Sequence, residues 1–139
     1  MQIQRIQTLY LMLAIAVMIG FIFIPFGYCG EVALSGCRPA LLIPSCAVIV
    51  VMIASIFTFK KFSLQKNLVG LSILAVLALI VAVVYVMTMG YDFIAPEATT
   101  APTWGIGGGM LVIALVALIA ALSRINADHK LLRSYDRIR

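Results

Sequence analysis

The feature that most constrains this chain is a set of four long apolar runs, at residues 6–26, 40–59, 68–89 and 104–122, none of which holds a charged side chain. Each is about 20 residues long, and at about 1.5 Å of rise per residue a helix of that length matches the roughly 30 Å hydrocarbon core of a bilayer. Backbone amides have no water to bond there, so an isolated apolar run crosses as a helix. Four such runs in 139 residues leave no amphipathic element to cover them in water. The composition agrees, with 64 % of residues in the AVILMFWYC set and 11 % charged. That balance excludes an ordinary soluble enzyme, a disordered tail protein, a collagen-like chain and a disulfide-rich secreted scaffold. The expected fold class is an all-α membrane protein. It forms a single domain over 1–139, with four transmembrane helices in an antiparallel bundle and a cytoplasmic tail at 123–139.

The basic residues set the expected orientation, because Lys and Arg near span ends are retained on the cytoplasmic side. Arg5 precedes the first run, Lys60, Lys61 and Lys66 separate the second from the third, and Arg124, Lys130, Arg133, Arg137 and Arg139 follow the fourth. Only Arg38 lies opposite, beside Glu31, Asp92 and Glu97. Both termini are therefore expected in the cytoplasm, with outward loops at 27–39 and 90–103. The first run is too long for a signal core and lacks a following small-x-small site, so it is expected to remain as a span. Cys37 stands too far from that run for a lipidated cysteine.

Helix association in lipid relies on close packing and hydrogen bonds, which directs attention to small residues. Steps of three and four give the stripes Leu13, Ala16, Gly20, Phe23; Ile43, Ala47, Val50, Ala54; Leu71, Ala75, Ala78, Ala82, Tyr85; and Gly107, Met110, Ala114, Ala117, Ala121. Gly20, Ala78, Ala82, Ala114 and Ala117 are the expected packing positions, and Gly105 with Gly109 forms a G-x-x-x-G pair at the start of the fourth helix. The neutral polar residues inside the runs, among them Ser45, Ser55, Ser72 and Thr88, are expected to bond backbone carbonyls.

Chemistry is sparse. A catalytic or ion-coupling membrane protein usually keeps an ionisable group within a span, and none of the four runs has one. The chain is accordingly read as a non-enzyme, with no cofactor, no metal site and no nucleic-acid partner. His129 has no ligand pattern around it, and the glycines at 105–109 lack the Lys-Ser or Lys-Thr of a phosphate loop. Cys29 and Cys37 share the first outward loop and are candidates for a disulfide in an oxidising compartment. Redox catalysis would need a second communicating pair, and the outward loop at 90–103 has no cysteine. The tail sets Leu131, Leu132, Tyr135 and Ile138 on one helical face and Lys130, Arg133, Arg137 and Arg139 largely on another. That pattern predicts a short amphipathic helix lying on an anionic leaflet or docking on a partner.

The opening Ile3-Gln4-Arg5-Ile6-Gln7-Thr8-Leu9-Tyr10-Leu11 and the closing Lys130-Leu131-Leu132-Arg133-Ser134-Tyr135-Asp136-Arg137-Ile138-Arg139 resemble the terminal signatures of an uncharacterised Bacteroidetes family. Its members are small four-helix inner-membrane proteins carrying a domain of unknown function. Members resemble one another in an acidic stretch before Lys-Leu, where Asp128-His129 here keeps one acid. The resemblance implies a bacterial inner-membrane location and a periplasm-facing first loop, and it implies no activity. Both signatures fall on the cytoplasmic side, which makes Gln4, Arg5, Gln7, Arg133, Asp136 and Arg137 the expected interaction surface. The functional expectation is an accessory or scaffold subunit of a membrane complex, in contact with lipids and with a membrane-protein partner or a second copy. The alternatives are a thiol redox protein using Cys29 and Cys37, and a facilitator for an apolar solute or lipid.

Overall fold

The computed structural model describes residues 2–36, 38–58, 60–90 and 102–138. Its four long helices are each long and apolar enough to cross a membrane. Helix α1, Gln2–Phe23, stops where Pro25 disfavours a helical Ile24, and the Ile24 N–H closes the last turn on the Gly20 carbonyl at 2.8 Å. Helix α2, Pro39–Phe57, opens on a proline whose missing N–H costs nothing in a first turn. Helix α3, Phe62–Tyr85, widens into a π-helical turn over Val86–Gly90. Helix α4, Ile106–Ile138, runs for 33 residues, about 50 Å of helix.

The chain is mostly helical rather than wholly so. Strands β1, Pro25–Cys29, and β2, Val32–Ser35, form an antiparallel hairpin, and β3, Thr103–Trp104, adds to β1 on its other side. The pairing of Cys29 with Val32 leaves Gly30-Glu31 as a two-residue turn. Gly30 takes φ 62°, and no other described residue except glycine has a positive φ, as a type II′ turn requires. The segment at 27–39, expected as a loop, is thus largely a hairpin. It is bonded to α4 through the Gly105 N–H, which donates to the Phe26 carbonyl at 2.8 Å. The tail also differs from expectation. No Gly or Pro interrupts 123–138, so α4 continues straight through it and no separate tail helix forms.

Helix α1 packs chiefly on α4, α4 on α3, α3 on α2, and α2 back on α1. The buried stripes are Leu11, Ala14, Met18 and Phe21 on α1; Leu41, Ser45, Val48, Met52 and Ser55 on α2; Val69, Ser72, Val76, Leu79 and Val83 on α3; and Leu111, Ala114, Leu118, Ala121 and Ile125 on α4. Only the α4 stripe coincides with the small-residue reading. Leu13, Phe23, Ile43, Val50, Leu71 and Tyr85 all face outward. The reason is physical: lipid accepts a large apolar residue as readily as the core does, so hydropathy does not choose the face. The neutral hydroxyls choose it instead on α2 and α3. Ser45 donates to the Leu41 carbonyl at 2.7 Å, Ser55 to Met52 at 2.6 Å and Ser72 to Leu68 at 2.9 Å, all turned inward.

Among the packing glycines, a Cβ on Gly20 would stand 2.9 Å from the Met110 side chain and one on Gly105 would stand 2.7 Å from the Pro25 carbonyl oxygen. Gly109 has nothing within 4 Å, and Gly107 makes the closest approach, 2.5 Å from the Ile24 carbonyl oxygen. Ala114 and Ala117 are buried, Ala82 is half-buried and Ala78 is exposed. A Cβ at Gly107 has only rigid backbone before it, so Gly107→Ala should destabilise the protein by about 1–3 kcal/mol, the usual range for overpacking. Thermal unfolding in detergent micelles should register that loss, with Gly109→Ala unchanged as its control.

Candidate functional site

Each helix ends its buried stripe on a polar residue, and all four of these lie at one end of the packing. They are Gln7 on α1, Ser55 on α2, Gln65 on α3 and Asp128 on α4, exposed by 3 %, 0 %, 3 % and 8 %. Direct contacts bring these ends together. The Gln7 Nε2 donates a hydrogen bond to the Asp128 Oδ2. The Phe62 ring lies 6.2 Å from the His129 ring, which sets the start of α3 beside the end of α4. A tight turn joins α2 to α3, with the Lys61 N–H on the Thr58 carbonyl at 3.0 Å. At the opposite end the buried side chains among the described residues are apolar. Phe21 and Phe26 stack at 6.0 Å beneath the sheet, with Leu34 and Cys29 buried beside them.

The polar end carries an imbalance of hydrogen-bonding groups. An ionised Asp128 only accepts, and the Gln65 Oε1 is a buried acceptor with no partner in the structure. Burial raises the Asp128 carboxyl above its ordinary range, and the Arg124 guanidinium on the same helix pulls it partly back. Asp128 lies beyond the apolar stretch of α4 that ends at Leu122. There a single amide hydrogen bond offsets the removal of a carboxyl from water.

The remaining expected residues are dispersed. Gln7 was expected on an exposed surface with Arg5, and the structure corrects this. Helical periodicity aligns Gln7 with Leu11, Ala14 and Met18, so it turns inward while Arg5 stays exposed. The Gln4 side chain lies outside the described residues. Arg133, Asp136 and Arg137 are exposed on the last turns of α4, and every residue from 129 to 138 is exposed there. Cys29 is 1 % exposed, and its expected partner Cys37 lies outside the described residues. Cys46 is exposed on α2. No group of three or more His, Cys, Asp or Glu side chains able to hold a metal occurs among the described residues. An apolar groove of about 500 Å³ lies between α2 and α3, lined by Pro44, Ala47, Ala75, Ala78 and Ala82 among others. Several alanines of the expected α2 and α3 stripes therefore line this groove.

The sequence reading passed over Asp128 and Gln65. The α4 spacing of Leu111, Ala114, Leu118, Ala121, Ile125 and Asp128 was the available signal, since the inward stripe does not stop where the apolar run stops.

The model of a domain of unknown function, DUF4293, matches residues 30–138. The chain belongs to this family. The match takes in all of α2, α3 and α4, including Gln65, Asp128 and the closing signature as far as Ile138, while Gln7 and the opening signature precede it. No curated protein and no solved structure matches the chain.

Two measurements follow from the polar end. Gln7→Ala would leave the Asp128 carboxyl buried without its amide, and the loss should be about 1–3 kcal/mol, as for other stranded buried polar groups. Because the folded carboxyl titrates above its unfolded range, the folded chain holds more protons between those two ranges. Its stability should therefore fall as pH rises through that interval. Melting temperature against pH in micelles should show that slope in the wild type and a flatter one in Asp128→Asn.

Proposed function

We propose that this DUF4293 protein is a small multi-pass subunit of the bacterial inner membrane that serves as an accessory or scaffold for a membrane complex. Its helices cross as an antiparallel bundle, with both termini and the Gln7–Asp128 end in the cytoplasm and the hairpin in the periplasm. The distribution of Lys and Arg supports that orientation, and the resemblance of both chain ends to Bacteroidetes inner-membrane proteins supports the location.

The observation that carries the proposal is the length of α4. The helix continues past Leu122 to Ile138, and every residue beyond the Phe62–His129 ring contact, from 130 to 138, is exposed. The roughly 24 Å from 123 to 138 stands clear of the hydrocarbon along the axis of the span. Leu131 and Leu132 are about half exposed, and Tyr135 and Ile138 more so. Lys130, Arg133 and Arg137 border them with one acid, Asp136. A rigid helix with an uncovered apolar stripe and a cationic flank suits the groove of a partner with acidic edges. Truncating the two arginines should weaken that docking without touching the packed core.

The test is purification of the tagged chain in mild detergent from its own membranes, with copurifying chains identified by mass spectrometry. A stoichiometric membrane-protein partner or a second copy should accompany the wild type and be lost with Arg133→Ala and Arg137→Ala. Recovery as a lone chain in both cases would sink the proposal.

A further inference from the structure

The packing of the protein does not account for the glycine at position 70. A Cβ added at Gly70 would meet nothing within 4 Å, whereas one at Gly20, Gly105 or Gly107 would stand 2.9 Å or less from a neighbouring atom. Glycine is the poorest helix former after proline, and Gly70 stands well inside α3. What its missing side chain leaves is a groove. Gly70 lines a space of about 410 Å³ between α3 and α4, with Lys66, Asn67, Leu71 and Leu74 on α3 and Leu122 on α4.

The groove is graded along its length. Lys66 and Asn67 stand just before the apolar run that begins at Leu68, and the other lining residues lie within apolar runs. From Lys66 to Leu74 the helix rises about 12 Å, within the half-thickness of a hydrocarbon core of roughly 30 Å. Spread over that length, the volume gives a section of about 35 Å², less than half that of a helix about 10 Å across. A partner helix is too wide for it, and an extended acyl chain, whose carbons pack about 4 Å from their neighbours, is not. The polar end is cationic. Lys66 is exposed, and no described Asp or Glu lines the groove. Asp128, the buried acid at this end of the packing, is engaged by Gln7 of α1 instead.

We propose that this groove binds one anionic phospholipid, with its phosphate on the Lys66 ammonium and the Asn67 amide and one acyl chain laid over Gly70 against Leu71, Leu74 and Leu122. The ammonium and the amide N–H groups donate hydrogen bonds, and the unesterified phosphate oxygens accept them. A basic pocket between membrane helices selects anionic headgroups on these terms. Phosphatidylglycerol keeps the net negative charge of its phosphodiester. Phosphatidylcholine carries an ammonium of its own, which competes with Lys66 for the same phosphate. This inference stands apart from the subunit reading, since a chain that copurifies with no protein would still hold the lipid.

The experiment is native mass spectrometry of the full chain released from detergent micelles, after addition of phosphatidylglycerol or phosphatidylcholine with the same acyl chains. The wild type should retain one phosphatidylglycerol per chain and far less phosphatidylcholine. Lys66→Ala should weaken retention about fivefold. Gly70→Leu fills the groove with every charge in place and should weaken it about tenfold. Arg5→Ala removes an equal charge from α1, which packs chiefly on α4, and should retain the lipid as the wild type does. Melting without added lipid checks that each variant is folded, and if Gly70→Leu melts early, Lys66→Ala decides. Equal retention of the two lipids would overturn the proposal, as would full retention in Lys66→Ala or in a folded Gly70→Leu. Loss in Arg5→Ala equal to that in Lys66→Ala would also overturn it, by reducing the effect to diffuse charge. Displacement of the lipid by excess glycerol phosphate would overturn it in favour of a soluble anion, and a dimer in place of the lipid adduct would do so in favour of a second copy.

Discussion

In a bilayer, apolar surface gains nothing by moving from lipid into protein, so the few polar atoms decide how the helices face one another. That constraint runs through this fold. The mean hydropathy of the chain is +1.16, and nearly every position in the four uncharged runs would be tolerated against acyl chains. The inward faces are the ones that carry Gln7, Ser45, Ser55, Gln65, Ser72 and Asp128. Serines within the spans satisfy themselves on their own helices, where a hydroxyl can reach a carbonyl one turn back. The long amides and the carboxyl have no such local partner. They mark the place where the helices must meet.

The two ends of the packing solve different problems. At the sheet end, the chain must turn from α1 into α2 and from α3 into α4 without stranding backbone groups. The hairpin pairs its own amides, and the Gly105 N–H reaches across to Phe26. Tight backbone approaches at Gly105 and Gly107 let α4 start directly against the end of α1. At the polar end, closure depends on side chains. The Gln7–Asp128 bond ties the first helix to the last, residues separated by 121 positions in sequence. Such a contact is among the most non-local in the fold, and it closes a long stretch of chain.

Much of this was legible in the sequence and some was not, for identifiable reasons. Four helices long and apolar enough to cross a membrane follow from the length and hydropathy of the four uncharged runs. The α4 face was legible because Gly107, Ala114, Ala117 and Ala121 are small enough to distinguish it. The faces of α1, α2 and α3 were not, because Leu13 and Leu11, or Ile43 and Val48, are equivalent to lipid and differ only in their neighbours. The hairpin was hidden in a segment of 11 residues at 25–35, short enough to pass for a loop. Its one clear sign was Gly30 between Cys29 and Val32. The polar end was not legible because hydropathy marks only the uncharged runs, and its carboxyl and amides lie at or beyond their ends. Asp128 and Gln65 sit just outside or at the edge of those runs while remaining on the inward stripe.

The continuity of α4 links the buried polar end of the packing to the exposed segment beyond it. Asp128 is the last buried residue of that helix, and the exposed stretch begins at the next position. No glycine or proline lies between them to act as a hinge, so the direction in which the projecting helix leaves the core is set by the contacts at Ile125 and Asp128. A helix free of such a joint transmits a tilt rather than absorbing it. Repacking of α1 against α4 at Gln7 would therefore swing the segment that carries Arg133 and Arg137. The Gln7–Asp128 contact and the direction of the projecting segment are in this way properties of the same continuous helix.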